Sequence, residues 1–161
     1  MSLREWVAHF KALHEKARTG ALNEAGWSEY RAGRDELARA MLAAQRAALR
    51  PGETPRRALR VARALQADLE WSLDKVRAVT LDISSGGFAA LLAKAPPRDE
   101  GLRVQLRLPG GDAVAAEARV AGAQVLPTSV RVAFAFSRIS DGERDRLEFL
   151  VFDTVLAHLA T

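Results

Sequence analysis

The sequence predicts a mainly β protein with helices: a small six-stranded antiparallel β-barrel closed by a C-terminal helix and preceded by an N-terminal helical hairpin. Three observations carry that expectation. Residues 2–49 hold two apolar stripes at 3-4-3-4 spacing, the mark of amphipathic helices. Residues 64–137 change to period-2 alternation, cut at short intervals by Gly, Pro, Asp and Ser. A capping pattern then opens a last helical stripe.

The elements follow in chain order. Residues 2–19 read as a helix: Ser2 and Glu5 form a capping-box pattern, Leu3, Trp6, Phe10, Leu13 and Ala17 make the stripe, and Gly20 ends it. A second helix spans about residues 24–49, with Asn23 as its cap and Trp27, Tyr30, Leu37, Met41, Ala44 and Ala48 on one face, interrupted by Arg34. Gly26 and Gly33 each weaken that helix by about 1 kcal/mol relative to Ala. Two such helices joined by a short turn form an antiparallel hairpin. Pro51 and Pro55 then discourage helix and begin a basic linker, residues 51–63. In the first strand, Leu65, Ala67, Leu69 and Trp71 face one way, and Gln66, Asp68 and Glu70 the other. Strands follow at 76–83, 87–93, 102–108, 113–125 and 129–137, with Pro109-Gly110-Gly111-Asp112 as a hairpin turn. Ser140-Asp141-Gly142-Glu143 reads as a capping box for the final helix, which carries Leu147, Leu150, Val151, Val155 and Leu159. The expected organisation is therefore a hairpin at 1–50, a linker at 51–63, and a barrel with its helix at 64–161.

Composition narrows the chemistry. The 161 residues are 48% hydrophobic, enough to bury a barrel core. There is no cysteine, which excludes disulfides and thiolate metal sites. His9 and His14 are five apart rather than at the i, i+4 spacing a helix-borne metal pair needs, and His158 lies near a helix C-terminus, so no metal site is expected. Ser84 is outside any Gly-x-Ser-x-Gly elbow, and Ser85-Gly86-Gly87 lacks the Lys-Ser/Thr ending of a P-loop, so no catalytic residue is assigned and the chain is not read as an enzyme. A net charge of +4 suits an anionic ligand but is weak evidence for nucleic acid, and the single Tyr argues against an aromatic stacking platform for single strands. Arg4, Glu5, His9 and Lys11 interrupt any apolar leader, and no window is apolar for the length of a membrane span, so a cytoplasmic protein is expected.

Two clusters stand out for function. Arg56-Arg57-Ala58-Leu59-Arg60 places arginines four apart in the linker. Asp82-Ile83-Ser84-Ser85-Gly86-Gly87 reads Asp-x-Ser-x-x-Gly at a strand end. Arginine forks pair with phosphate oxygens and with guanine O6 and N7. A carboxylate accepts from guanine N1 and N2, and glycine lets a backbone turn without a side chain in the way. Together they suit a phosphorylated guanine nucleotide. Each has a plainer reading. Arg-x-x-x-Arg recurs at Arg46/Arg50 and Arg103/Arg107 in this Arg-rich chain, and Asp, Ser and Gly are ordinary turn formers.

The two clusters, in this order and about twenty residues apart, resemble the PilZ domain family at Arg56, Arg60, Asp82, Ser84 and Gly87. The resemblance continues through Val130-Arg131-Val132-Ala133-Phe134-Ala135-Phe136, where Ala133 replaces a frequent glycine, and covers about residues 53–160. It implies a PilZ-type barrel that binds the bacterial second messenger cyclic di-GMP without catalysis and without a cofactor. Arg56, Arg57 and Arg60 would hold phosphates and guanine. Asp82 would select guanine, Ser84 would hydrogen-bond the ligand, and Gly87 would keep the surface open. The linker, mobile without ligand, would close on it and reorient the helices or change the binding of a protein effector. The alternative is a PilZ-like adaptor in motility or pilus assembly that acts through protein contacts alone. Residues 1–50 are expected to form an interaction module, either a homodimer or a hairpin docked on its own barrel.

Overall fold

The computed structural model describes residues 1–51 and 58–159. By mutual contacts the chain divides into two units: Met1–Leu59 with Phe152–Thr161, and Arg60–Val151.

The second unit is a closed barrel. Its strands are β1 (Gln66–Trp71), β2 (Asp74–Ser84), β3 (Gly87–Leu92), β4 (Leu102–Arg107), β5 (Ala113–Val125) and β6 (Val130–Arg138), and helix α3 (Asp141–His158) begins in it. All neighbours are antiparallel, in the order β1-β2-β3-β6-β5-β4, and β1 pairs with β4 to complete the ring. Closure gives each strand two neighbours, so no whole strand is left as an open edge. The alternation read in the sequence sets the inside: Ala67, Leu69 and Trp71 of β1 and Leu102, Val104 and Leu106 of β4 are buried. Ile83, Phe88, Val114, Val132 and Phe134 join them, with the Phe88 and Phe134 rings stacked at 4.8 Å. Tight turns close the hairpins. Gly110 and Gly111 take positive φ between β4 and β5, where Leu108 N–H donates to Asp112 O at 2.7 Å.

Two irregularities matter. Register shifts between Thr80 and Asp82 in the pairing of β2 with β3, leaving Leu81 as an extra residue. Before the bulge, Ala78 and Thr80 point inward. After it, Ile83 does, so Asp82 and Ser84 are turned to the outer face. The second lies at the start of β5, where residues 113–116 pair with β4 but extend past the end of β6. Glu143 covers that stretch by accepting the Ala115 N–H at 2.8 Å. The expected Ser140–Glu143 capping box is therefore only half formed. Ser140 Oγ accepts the Glu143 N–H at 3.2 Å, but the Glu143 carboxylate is drawn to β5 and to Arg146.

The first unit contains α1 (Leu3–Arg18) and α2 (Glu24–Ala47). Ser2 and Glu5 form the full capping box, and Asn23 Oδ1 accepts the Gly26 N–H at 2.8 Å. Rings stack along α1 and then across the hairpin: Trp6 on Phe10 within α1, and Phe10 on Tyr30 of α2, each at 5.4 Å. Gly33 is what allows this approach, since a Cβ there would lie 2.8 Å from Phe10 Cδ2. The buried stripe of α1 is Val7, Phe10, Leu13 and His14. Leu3, expected in the seam, is 78% exposed, because first-turn side chains lean past the helix start and find nothing to cover. On α2 only Tyr30 and Leu37 are buried, while Ala44 and Ala48 are exposed. Arg34 interrupts that seam yet stays on it, its guanidinium over the Tyr30 and Phe152 rings at 5.6 and 5.9 Å. The end of α3 belongs to this unit through bonds of α1. Lys11 donates to Leu159 O at 2.8 Å, and Asp153 meets both Arg18 and His14.

Candidate functional site

Backbone pairing brings the linker's end to the Asp-Ser-Gly turn. Val61 N–H donates to Ile83 O at 3.0 Å and Ile83 N–H to Val61 O at 2.9 Å, an isolated antiparallel bridge. Further on, Thr80 Oγ1 accepts the Leu65 N–H at 2.8 Å and donates to Arg63 O at 2.6 Å. Residues 61–65 are thus laid along β2, and Arg60 arrives beside Asp82. The linker is expected to be mobile without ligand; its last residues, from Val61 on, are hydrogen-bonded to β2. Arg56 and Arg57, the other expected ligand arginines, lie outside the described residues.

Asp82 is the centre of the site, and its carboxylate is nearly buried. Oδ2 accepts from Arg131 Nη2 at 3.2 Å. Oδ1 lies 3.6 Å from Arg60 Nε, beyond hydrogen-bond length, and has no hydrogen-bond partner among the described residues. A buried carboxylate oxygen without a donor is costly unless something supplies one. Partners across the sheet share a face. Asp82 therefore lies in a row with Ala89 and Ala133, and Ser84 in a row with Gly87 and Ala135. Methyl-sized side chains beside the carboxylate keep this outer surface low, and two guanidinium groups against one carboxylate leave it cationic.

The other two expected ligand residues have structural duties. Ser84 Oγ accepts the Gly86 N–H at 3.2 Å and donates to Gly87 O at 3.3 Å, so the hydroxyl closes the turn and keeps one acceptor site free. Gly87 has no positive φ, and a Cβ there would overlap the Phe134 carbonyl oxygen. Its missing side chain lets β3 approach β6.

Arg131 was not legible as a site residue. Alternation in β6 places it outward, but only the register Leu91↔Arg131 next to Ala89↔Ala133 sets it against Asp82. The arginines of the recurring spacing behave as a wet strand face. Arg103 donates to Glu70 at 2.7 Å, and Arg107 and Arg77 donate to Asp68 at 3.2 and 3.3 Å. Burial raises the Asp68 pKa, but hydrogen bonds from Gln66, Arg107 and Arg77 outweigh it and hold the carboxyl below its usual range. A groove of about 650 Å³ lies on that face, lined by Asp68, Glu70, Lys75, Arg77 and Arg103, and its two arginines are already paired with carboxylates.

No group of three or more His, Asp or Glu is placed to hold a metal among the described residues. His9 meets Glu29 at 2.7 Å, and His14 is buried against the Tyr30 hydroxyl at 2.7 Å. No helix among the described residues is long and apolar enough to cross a membrane.

Barrel, strand order and closing helix define a class of small six-stranded closed β-barrels, and the family model for the PilZ domain matches residues 54–153. The chain belongs to the PilZ domain family. Solved structures share the fold. The Bacillus subtilis inhibitor of motility MotI/DgrA is 23% identical with a TM-score of 0.61, over 67% of this chain and 55% of that one. The PilZ domain of Escherichia coli YcgR with c-di-GMP is 18% identical with a TM-score of 0.53, over 63% and 92%. MrkH of K. pneumonia in its apo state is 18% identical with a TM-score of 0.55, over 68% and 54%. The match thus spans only about half of the MotI and MrkH chains. No curated protein matches the chain.

Proposed function

We propose that the chain is a cyclic di-GMP receptor, an effector rather than an enzyme, with Arg56, Arg57, Arg60, Asp82, Ser84 and Gly87 at or around its ligand site. The observation that carries this reading is the Asp82 carboxylate. It sits on the outer barrel face with Oδ1 lacking a hydrogen bond among the described residues, beside Arg60 and above small side chains. Guanine N1–H and N2–H are the donors such a carboxylate lacks. The cationic surroundings suit the phosphates. Support comes also from structural neighbours solved with c-di-GMP, YcgR and MrkH. Arg60 and the linker arginines would take the phosphates and guanine edges, and ligand capture would be read out as a change in helix orientation or in the binding of a protein effector.

Titration calorimetry tests the reading. Cyclic di-GMP should bind and cyclic di-AMP should bind much more weakly, since adenine presents no N1–H donor. Arg60→Ala should weaken binding roughly 5- to 150-fold, the range for a lost bidentate arginine contact of about 1–3 kcal/mol. Arg103→Ala, already paired on another face, should change affinity less than about threefold. No binding of either dinucleotide would leave the adaptor reading, which the use of the Ser84 hydroxyl inside its own turn favours.

A further inference from the structure

We propose that Arg131 is a positioning residue for guanine recognition: it holds and neutralises Asp82 while Arg60 is drawn to the ligand. The inference rests on the receptor reading above and assigns the two arginines different tasks. Their geometry already differs. Arg131 Nη2 donates to Oδ2 at 3.2 Å, whereas Arg60 Nε stands off Oδ1 at 3.6 Å without a hydrogen bond. Their anchorage differs too. Arg131 is within β6, paired on both sides, to Leu91 of β3 and Gln124 of β5. Arg60 is the residue before a single isolated bridge, at the end of the linker.

The chemistry follows from that asymmetry. A carboxylate offers about four lone-pair sites, so one bond from Arg131 leaves room for both guanine donors. The Oδ1 that lacks a donor among the described residues is the oxygen facing Arg60, the group a phosphate would attract. If Arg60 turned to the ligand with no second cation present, Asp82 would be left a nearly buried, uncompensated charge. Arg131 removes that penalty and fixes the carboxylate plane for a two-point contact with N1–H and N2–H. Lysine would restore the charge but not the planar fork.

The test is a double-mutant cycle read by calorimetry with two probes, cyclic di-GMP and its inosine counterpart cyclic di-IMP, which lacks the 2-amino group. Wild-type protein should prefer the guanine ligand. Arg131→Ala should weaken cyclic di-GMP about tenfold and bring the two ligands to within about twofold of each other. Arg131→Lys should recover part of the affinity and less of the preference. In an Asp82→Ala background, Arg131→Ala should change affinity less than about twofold. Arg138→Ala, an exposed arginine paired with Glu117 elsewhere on β6, controls for bulk charge and should leave both constants unchanged. Arg131→Gln, read with a thermal melt, guards against loss of fold in the alanine variant. Wild-type binding with unaltered affinity and preference in Arg131→Ala and Arg131→Gln overturns this inference alone. Equal losses in the presence and absence of Asp82 also overturn it, because Arg131 would then act on the ligand directly. Failure of the wild type to bind either dinucleotide overturns the receptor reading, and this inference with it.

Discussion

Gly87, a residue of the expected ligand motif, is also required by the packing of one strand against another. Its motif position suggests a surface kept open, yet a methyl group there would strike the Phe134 carbonyl across the β3–β6 pairing. Backbone cannot swing aside as a flexible side chain can. Gly87→Ala should therefore cost stability, about 2 kcal/mol or more, in the range of overpacked cores. Urea unfolding followed by circular dichroism measures it. A variant of wild-type stability with lost ligand affinity would return Gly87 to the ligand. Asp82 is the contrasting residue. Its surroundings give one oxygen a single hydrogen bond and the other none among the described residues, so the carboxylate has room for further donors.

At the scale of elements, local pattern and tertiary demand compete for the same side chains. Ser2 and Glu5 complete a capping box because nothing else claims the glutamate. Glu143 occupies the equivalent position in α3, but four residues of β5 run beyond β6 and expose donors, so the carboxylate goes there. The cap of α3 therefore rests on Ser140 alone among these two. Ser140→Ala should lower stability by about 1 kcal/mol, the usual cost of a lost N-cap, measured by urea unfolding. Glu143→Gln should be milder, since an amide oxygen still accepts the Ala115 N–H. An unchanged midpoint in Ser140→Ala would mean the cap is not closed by that hydroxyl. The Leu81 bulge is the other element-scale decision. Without it, simple alternation would send Asp82 inward with Ala78 and Thr80, and one inserted residue turns it to the outer face instead.

At the scale of the whole molecule, the helical unit has its own pH dependence. His14 is buried against Tyr30, with Asp153, Arg18 and Glu15 as its charged neighbours. Burial lowers its pKa below the ordinary value of 6.5, and Asp153 only partly opposes this. The unfolded chain therefore takes up a proton on His14 at a pH where the folded chain resists it. Its contribution to stability is full above about pH 6.5 and is lost as pH falls through the depressed folded value, by at most about 1.4 kcal/mol per pH unit. Thermal melts from pH 7.5 to 5.5 should show this decline, and His14→Gln should flatten it. Parallel slopes for both proteins would remove His14 as the cause. We also expect the full chain to be a homodimer through residues 1–50, because Trp27, Met41, Leu42 and Leu49 remain only half-buried along α2 and its extension. Light scattering at micromolar concentration checks it, and a monomeric mass would end that expectation.

The sequence by itself determined the helices, the caps of α1 and α2, the strand alternation, the hairpin turns and the family motif. Each of these is written in spacings of two to five residues, where neighbours along the chain are neighbours in space. Tertiary structure decided the rest. Arg131 meets Asp82 across 49 residues of sequence, through strand registers that depend on barrel closure and on the Leu81 bulge. Arg60 reaches the same carboxylate because Val61 bridges to Ile83, and Gly87 is glycine because of a strand that follows it by more than forty residues. Period-2 patterns say which residues share a face of one strand. They do not say which strand lies alongside, or at what register, and that pairing is what assembles the site.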